Sequence, residues 1–187
     1  MQLGSVNIGT ARPLLAGGRR VLSGIGKQAV AGPVLVGRLG LAGDEQADLS
    51  VHGGLDKAVY AYPAEHYAVW QAQRQAQGVS LFDENLPPGF VGENLTLHGL
   101  LEAQVWVGDT LHFPDCSLRV TEPRQPCFKF NAVMGYAGAA RDMLRSGACG
   151  FYLAVETPGS IAAGQNFTLA PGRRSLAITL AFAGQRS

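Results

Sequence analysis

Twenty-five glycines and ten prolines are scattered along the 187 residues rather than pooled, so few stretches are long enough for an ordinary helix. Chains punctuated this way are built from short strands and turns, because glycine supplies the positive φ of tight turns and proline interrupts helices and interior strands. Segments rich in β-branched and aromatic residues fill the gaps: KAVYAY (57–62), ENLTL (93–97), DTLHF (109–113), SLRVTE (117–122) and GFYLAVE (150–156). Two stretches carry helical features. One opens on Pro63, whose fixed φ suits a first helical position, and continues through AEHYAVWQAQRQAQ to Gly78, with Tyr67 and Trp70 on one face. The other, GYAGAARDMLRSG, is alanine-rich and closes on Arg145 and Gly147. The expected architecture is mainly β (α+β), a barrel or sandwich with peripheral helices, formed by residues 1–187 as one domain.

The remaining bulk properties narrow the function classes. With 47% hydrophobic and 16% charged residues there is apolar material for a sizeable core, and a formal charge of +1 offers no global field for nucleic acid or an anionic membrane. The N-terminal stretch interrupts its apolar residues with Gly, Asn and Arg, unlike a secretory leader. The longest apolar run, LAITLAFAG, is far shorter than the ~20 residues that span a bilayer and reads as a buried strand or short helix. Cys116, Cys127 and Cys149 form no Cys-x-x-Cys pair, which argues against a zinc knuckle or a disulfide framework and makes a reducing cytoplasm the expected setting.

Polar residues concentrate between Gly43 and Tyr67, where Asp44, Glu45, Asp48, His52, Asp56, Lys57 and His66 crowd a loop that feeds a strand. Gly53-Gly54 is either a plain turn or a nest of inward N–H groups for an anion, with Lys57 beside it. His66, on the first helix, reads as a packing or capping residue. Glu93 and Asn94 stand at a strand start, where Asn94 offers a donor and an acceptor either to a heterocycle or to the backbone. Gly24-x-Gly26-x-x-Ala29 has the spacing of a dinucleotide loop, but Pro33 leaves no room for the helix that must follow. Cys127 follows Pro126 and has Arg124 and Lys129 near it in the chain, so it could be a core thiol, a nucleophile or a metal ligand. Cys116 and Cys149 read as small buried hydrophobes.

Taken in order, GLAGDEQADLSVHGGLDKAVYAYPAEHY, GENLTLHGL, VWVGDTL and PRQPCFKFN resemble the MOSC domain family, named for the C-terminal domain of molybdenum cofactor sulfurases, and its YiiM-like branch in particular. The likeness runs from about residue 39 to residue 170. It implies a MOSC β-barrel similar to the pyruvate kinase barrel domain, and a molybdenum cofactor (molybdopterin) held through the Cys127 thiolate, a soft donor suited to that metal. On this resemblance Cys127 is a ligand, not a nucleophile. Such proteins reduce N-hydroxylated compounds, among them hydroxylaminopurines, hydroxylamines and amidoximes, with electrons from a separate flavoprotein reductase. His52, Asp44 and Glu93 become candidates for proton supply. Gly53, Gly54, Lys57, Arg124 and Lys129 become candidates for the cofactor's phosphate, and Asn94 for the pterin edge. Longer YiiM-type proteins continue into a C-terminal helical extension, which puts the carried-over redox partner in question here.

Two other functions compete. A carrier would bind the cofactor or a Cys127 persulfide and pass it on; no region resembles the pyridoxal phosphate domain of the sulfurases, so autonomous sulfur mobilisation is not expected. A Cys-dependent hydrolase would pair Cys127 with His52, with Asp44 or Asp56 as orienter.

Overall fold

The computed structural model of the protein describes residues 1–47, 53–82 and 84–184. The strands are β1 (Gln2–Ile8), β2 (Arg12–Ala16), β3 (Arg19–Ser23), β4 (Gln28–Ala29), β5 (Val34–Gly37), β6 (Gly40–Leu41), β7 (Val59–Pro63), β8 (Leu95–His98), β9 (Thr110–His112), β10 (Ser117–Pro123), β11 (Phe151–Thr157), β12 (Gly159–Ile161) and β13 (Thr168–Ala170). The helices are α1 (Tyr67–Ala76), α2 (Phe128–Met134), α3 (Ala139–Ser146) and α4 (Ile178–Gly184).

Eight strands make one sheet in the order β13-β9-β10-β11-β7-β8-β1-β4. Its neighbours pair antiparallel except β7 and β8. A parallel pair needs a crossover, and α1 lies in the one that joins them. The sheet curls until the segment ahead of β13 meets β1. Leu3 N–H donates to the Gln165 carbonyl at 2.9 Å, Gly164 N–H to the Leu3 carbonyl at 2.7 Å, and Phe167 N–H to the Met1 carbonyl at 3.1 Å. The fold is therefore mainly β, as expected, but the sheet is not closed into a continuous barrel: only this short seam links the segment ahead of β13 to β1. The β2–β3 hairpin and the three-stranded sheet β12-β5-β6 stand beside it.

Both faces of the central strands are buried, which explains why 57–62 lacks polar alternation. On β7, Val59 and Ala61 join an inner core with Leu3, Leu95, Leu97, Leu118, Phe151 and Leu153. Tyr60 and Tyr62 point the other way, into a second core under the helices with Trp70, Phe130, Met134 and Met143. Burial of each large side chain contributes about 1.5–3 kcal/mol. Trp70 Nε1 donates to the Tyr62 hydroxyl at 2.5 Å and its ring meets Phe130 edge-on at 5.3 Å, so the face expected for Tyr67 and Trp70 is the one that anchors α1.

The helix expected from Pro63 begins later. Pro63 closes β7, and a 3-10 turn at Ala64–His66 precedes α1. That turn is held from outside, by Gly99 N–H on Glu65 Oε1 at 2.7 Å and by His66 Nε2 against Glu102 Oε2 at 2.8 Å. The stretch 135–147 also shortens, because left-handed Gly135 ends α2 instead of opening α3. LAITLAFAG resolves into α4. Cys116 and Cys149 are buried, and burial pushes the Cys116 thiol up to about 11.

Gly150, at the start of β11, has φ +64°, and a Cβ there would lie 2.4 Å from the Ala61 carbonyl oxygen, inside the β7–β11 ladder. Gly150→Ala should therefore lower unfolding free energy by about 2–4 kcal/mol, read by urea denaturation. A loss below about 0.5 kcal/mol would show that this strand junction yields more readily than the geometry allows.

Candidate functional site

β10 ends at Pro123, and the next four residues, Arg124 to Cys127, turn outward into α2. Pro126 limits how the chain enters the turn, and Cys127 keeps an extended backbone (φ −128°, ψ 176°) as the residue before the helix. Its thiol is half-buried in the wall of a cleft open to solvent. The enclosed space is about 90 Å³, below the roughly 300–1,000 Å³ usual for a drug-sized ligand, so a larger group would extend into the open mouth.

Arg124 lines the same cleft and is only 6% exposed. Its guanidinium lies 5.1 Å from the Tyr60 ring centroid and 5.0 Å from that of Phe130, and Nη1 approaches Met143 Sδ at 3.8 Å. Among the described residues no carboxylate forms an ion pair with it. A buried charge without a counter-charge is costly, by several kcal/mol, unless a ligand or a nearby thiolate compensates it. Cys127 is close enough to interact with it electrostatically. Burial raises the pKa of the Tyr60 and Tyr152 hydroxyls, so both stay protonated in the wall of the cleft.

The cleft lining also carries a residue that sequence reasoning missed. Lys27 and Asp44 form an ion pair with side chains only 7% and 4% exposed. Asp44 is held further by Gly9 N–H on Oδ1 at 2.9 Å and by Asn94 Nδ2 on Oδ2 at 2.9 Å. Burial lowers the pKa of Lys27, against the opposing pull of Asp44. The loop of Lys27 packs there because residue 24 has no side chain: a Cβ on Gly24 would lie 2.3 Å from the Glu45 carbonyl oxygen. A lysine directly after Gly-Ile-Gly was the available hint, hidden by its likeness to a dinucleotide loop. That loop leads into β4, not a helix, in agreement with the sequence reading.

Of the expected site residues, Cys127, Asp44, Lys57, Asn94, Arg124 and Lys129 line this cleft. Lys57 faces Glu122 at 3.5 Å and lies 5.7 Å from the Tyr152 ring centroid; Lys129 Nζ donates to the Leu22 carbonyl at 3.1 Å. Asn94 is committed to the protein. Its Nδ2 donates to Asn7 O and Asp44 Oδ2, and its Oδ1 accepts from Tyr60 N–H, so it braces Asp44 instead of presenting its amide to a pterin. Glu93 is fully buried and is not part of the cleft lining. Its Oε1 accepts from Tyr67 Oη, Gly89 N–H and Thr96 Oγ1, its Oε2 has no partner, and burial raises its pKa.

Gly53 and Gly54 also stand outside the lining, and the expected nest is not formed at Gly54, whose N–H donates to Gln46 Oε1 at 3.2 Å. The same Gln46 side chain donates to the Lys57 and Ala58 carbonyls, so the glycine step serves a turn. His52 and Asp48 lie outside the described residues. His66 is structural, as expected, and Asp56 is largely exposed, 3.8 Å from Arg119. Among the described residues there is no cluster of three or more His, Cys, Asp or Glu that could hold a metal ion, so a metal here would take its other donors from a cofactor. No described helix is long and apolar enough to cross a membrane.

A curled β-sheet with one thiol in a cationic cleft describes a small-molecule or cofactor site. The MOSC domain profile matches residues 48–168, and the chain belongs to the MOSC domain family. It is 39% identical over 141 residues to the protein YiiM of Escherichia coli (strain K12), covering 75% of this chain and 61% of that protein. It is 35% identical over 153 residues to a reductase of Gibberella moniliformis, covering 81% of this chain and 26% of that protein. The crystal structure of YiiM from Geobacillus stearothermophilus superposes with a TM-score of 0.76 at 31% identity, covering 97% of this chain and 81% of that one. MOSC domains are associated in general with molybdenum cofactor binding. The donor set here fits such a group: a thiol suits a soft metal, and Arg124 suits an anionic moiety.

Proposed function

We propose that the chain binds a molybdenum cofactor through Cys127 and reduces N-hydroxylated compounds, such as hydroxylaminopurines, hydroxylamines and amidoximes. The observation that carries this reading is the half-buried Cys127 thiol sharing a cleft with Arg124, a buried guanidinium with no carboxylate counter-charge among the described residues. Family membership and the printed name of the fungal relative, a reductase, support it. The reaction converts R₂N–OH, two electrons and two protons into R₂N–H and water. The bound cofactor would supply the two-electron chemistry. The protein's own side chains do the rest.

Arg124, assisted by Lys57 and Lys129, holds the anionic part of the bound group by charge-assisted hydrogen bonds. Lys27 presents an ammonium to the cleft, where it donates to the departing oxygen, and Asp44 keeps it charged against the cost of burial. Asp44 is thus the partner of the proton donor, where the sequence had suggested the donor itself. Glu93 supports from behind, accepting from Tyr67 and from Thr96 of β8, the strand that begins directly after Asn94. His52 keeps its proposed part as a second proton source. Electrons come from a separate flavoprotein reductase.

Artificial electrons separate this enzyme from a carrier. Cofactor-loaded protein given reduced methyl viologen should convert benzamidoxime to benzamidine with no partner protein present. Inert holo-protein that instead hands its cofactor to an apo-molybdoenzyme would replace the reductase reading with the carrier one.

A further inference from the structure

Charge is segregated along this chain. Five of the fifteen lysines and arginines, and none of the fourteen aspartates and glutamates, lie in residues 1–43; the first acid is Asp44. Lys27 is consumed by Asp44, but Arg12, Arg19 and Arg20 are exposed on the β2–β3 hairpin, as is Arg38 beyond it. No carboxylate among the described residues forms an ion pair with any of these four.

The hairpin register sorts its side chains. Leu14 pairs with Val21 on the face that is largely turned inward, while Arg12 (opposite Ser23) and Arg19 (opposite Ala16), at the two ends of that face, are exposed and form a basic rim. Pro13 opposite Leu22 and Leu15 opposite Arg20 make the other face, and all four residues are exposed, Leu15 by 69% and Leu22 by 54%. Phe128, the residue after Cys127, is 45% exposed and lies against the hairpin turn at Gly17. This apolar strip with a basic rim reaches the cleft mouth. Ser23 and Lys129 line the cleft, and the Lys129 ammonium is fastened to the Leu22 carbonyl.

We infer that the outer face of the β2–β3 hairpin, with Phe128, is the docking surface for an acidic electron-carrying protein, an inference that rests on the reductase reading for what the partner delivers. A cleft that consumes two electrons per substrate needs its donor close by, and this exposed cationic surface is continuous with the residue after Cys127. The complementary partner carries carboxylates around a small apolar patch at the edge of its flavin. Its fully reduced flavin gives up two electrons, one at a time, and the protons come from the cleft. The apolar strip favours a folded protein over a polyanion, because phosphates would use the arginines and leave Leu15, Leu22 and Phe128 in water.

The test uses cofactor-loaded full-length protein and an acidic flavodoxin as the probe. Flavodoxin should bind saturably at low ionic strength, weaken as salt is added, and bind about tenfold or more weaker to Arg19→Glu/Arg20→Glu. Arg173→Glu, an exposed charge reversal far along the chain, should change affinity less than about twofold. Flavodoxin-driven turnover should fall with affinity in the double variant while viologen-driven turnover stays at the wild-type level. Equal flavodoxin affinity in wild type and double variant, or no saturable binding at low salt, would overturn the inference. So would arginine-dependent capture of duplex RNA or of phosphatidylglycerol vesicles without flavodoxin binding. Charge-sensitive flavodoxin binding without viologen-driven turnover would uphold the surface while removing the reductase reading.

Discussion

Lys27→Met should lower unfolding free energy by about 3 kcal/mol, since removing one member of a buried ion pair leaves the other charge uncompensated. Among the described residues Asp44 would keep Gly9 N–H and Asn94 Nδ2, two neutral donors, against the cost of a carboxylate whose side chain is 4% exposed. Exchanging both charges in Lys27→Met/Asp44→Asn should recover about 1–2 kcal/mol of the sum of the single losses, because no buried charge then remains. Urea denaturation of the single and double variants measures both quantities. A Lys27→Met variant within about 0.5 kcal/mol of wild type would mean that the pair is well hydrated and contributes little.

The same pair explains why the cleft can be cationic without the chain being so. Lys27 and Asp44 cancel locally, and Lys57 is offset in part by Glu122, so Arg124 and Lys129 are the lining charges without a carboxylate partner among the described residues. The formal charge of +1 therefore says little about the site. What matters is which cations are already satisfied.

How much of this was legible in the sequence differs by element. KAVYAY and GFYLAVE declared themselves as strands because apolar and aromatic residues fill both of their buried faces, and SLRVTE because buried Leu118 and Val120 alternate with Arg119 and Thr121. The early strands were not read: β4 and β6 have two residues each, and β1 is held by partners as distant as β8, a pairing no local pattern encodes. Helix α2 was hidden for a different reason, since Cys127 precedes it with no side-chain capping bond. Among site residues, Cys127, Arg124, Lys57 and Asn94 were found through their motifs. Lys27 was not, because it reaches the cleft only through the close approach of Gly24 to Glu45, a tertiary event. The Gly53-Gly54 step misled because a positive φ permits an inward N–H without saying what it will meet, and at Gly54 it meets Gln46.

Cys127→Ser should strip the protein of molybdenum while leaving its fold in place. The thiol is half-buried at the cleft wall, outside both hydrophobic cores, so an oxygen in place of sulfur removes little packing. As a donor to a soft metal, however, a hydroxyl is a poor substitute for a thiolate, and metal retention should fall by about tenfold or more. Cys116→Ser and Cys149→Ser serve as controls. Both thiols are buried, so those variants should lose some stability and keep their metal. The decisive measurement is molybdenum per polypeptide, by elemental analysis, in the four proteins purified identically from a host that makes the cofactor. Metal in wild type, Cys116→Ser and Cys149→Ser with almost none in Cys127→Ser is the expected result; wild-type metal content in folded Cys127→Ser would contradict the ligand role on which the proposed function stands.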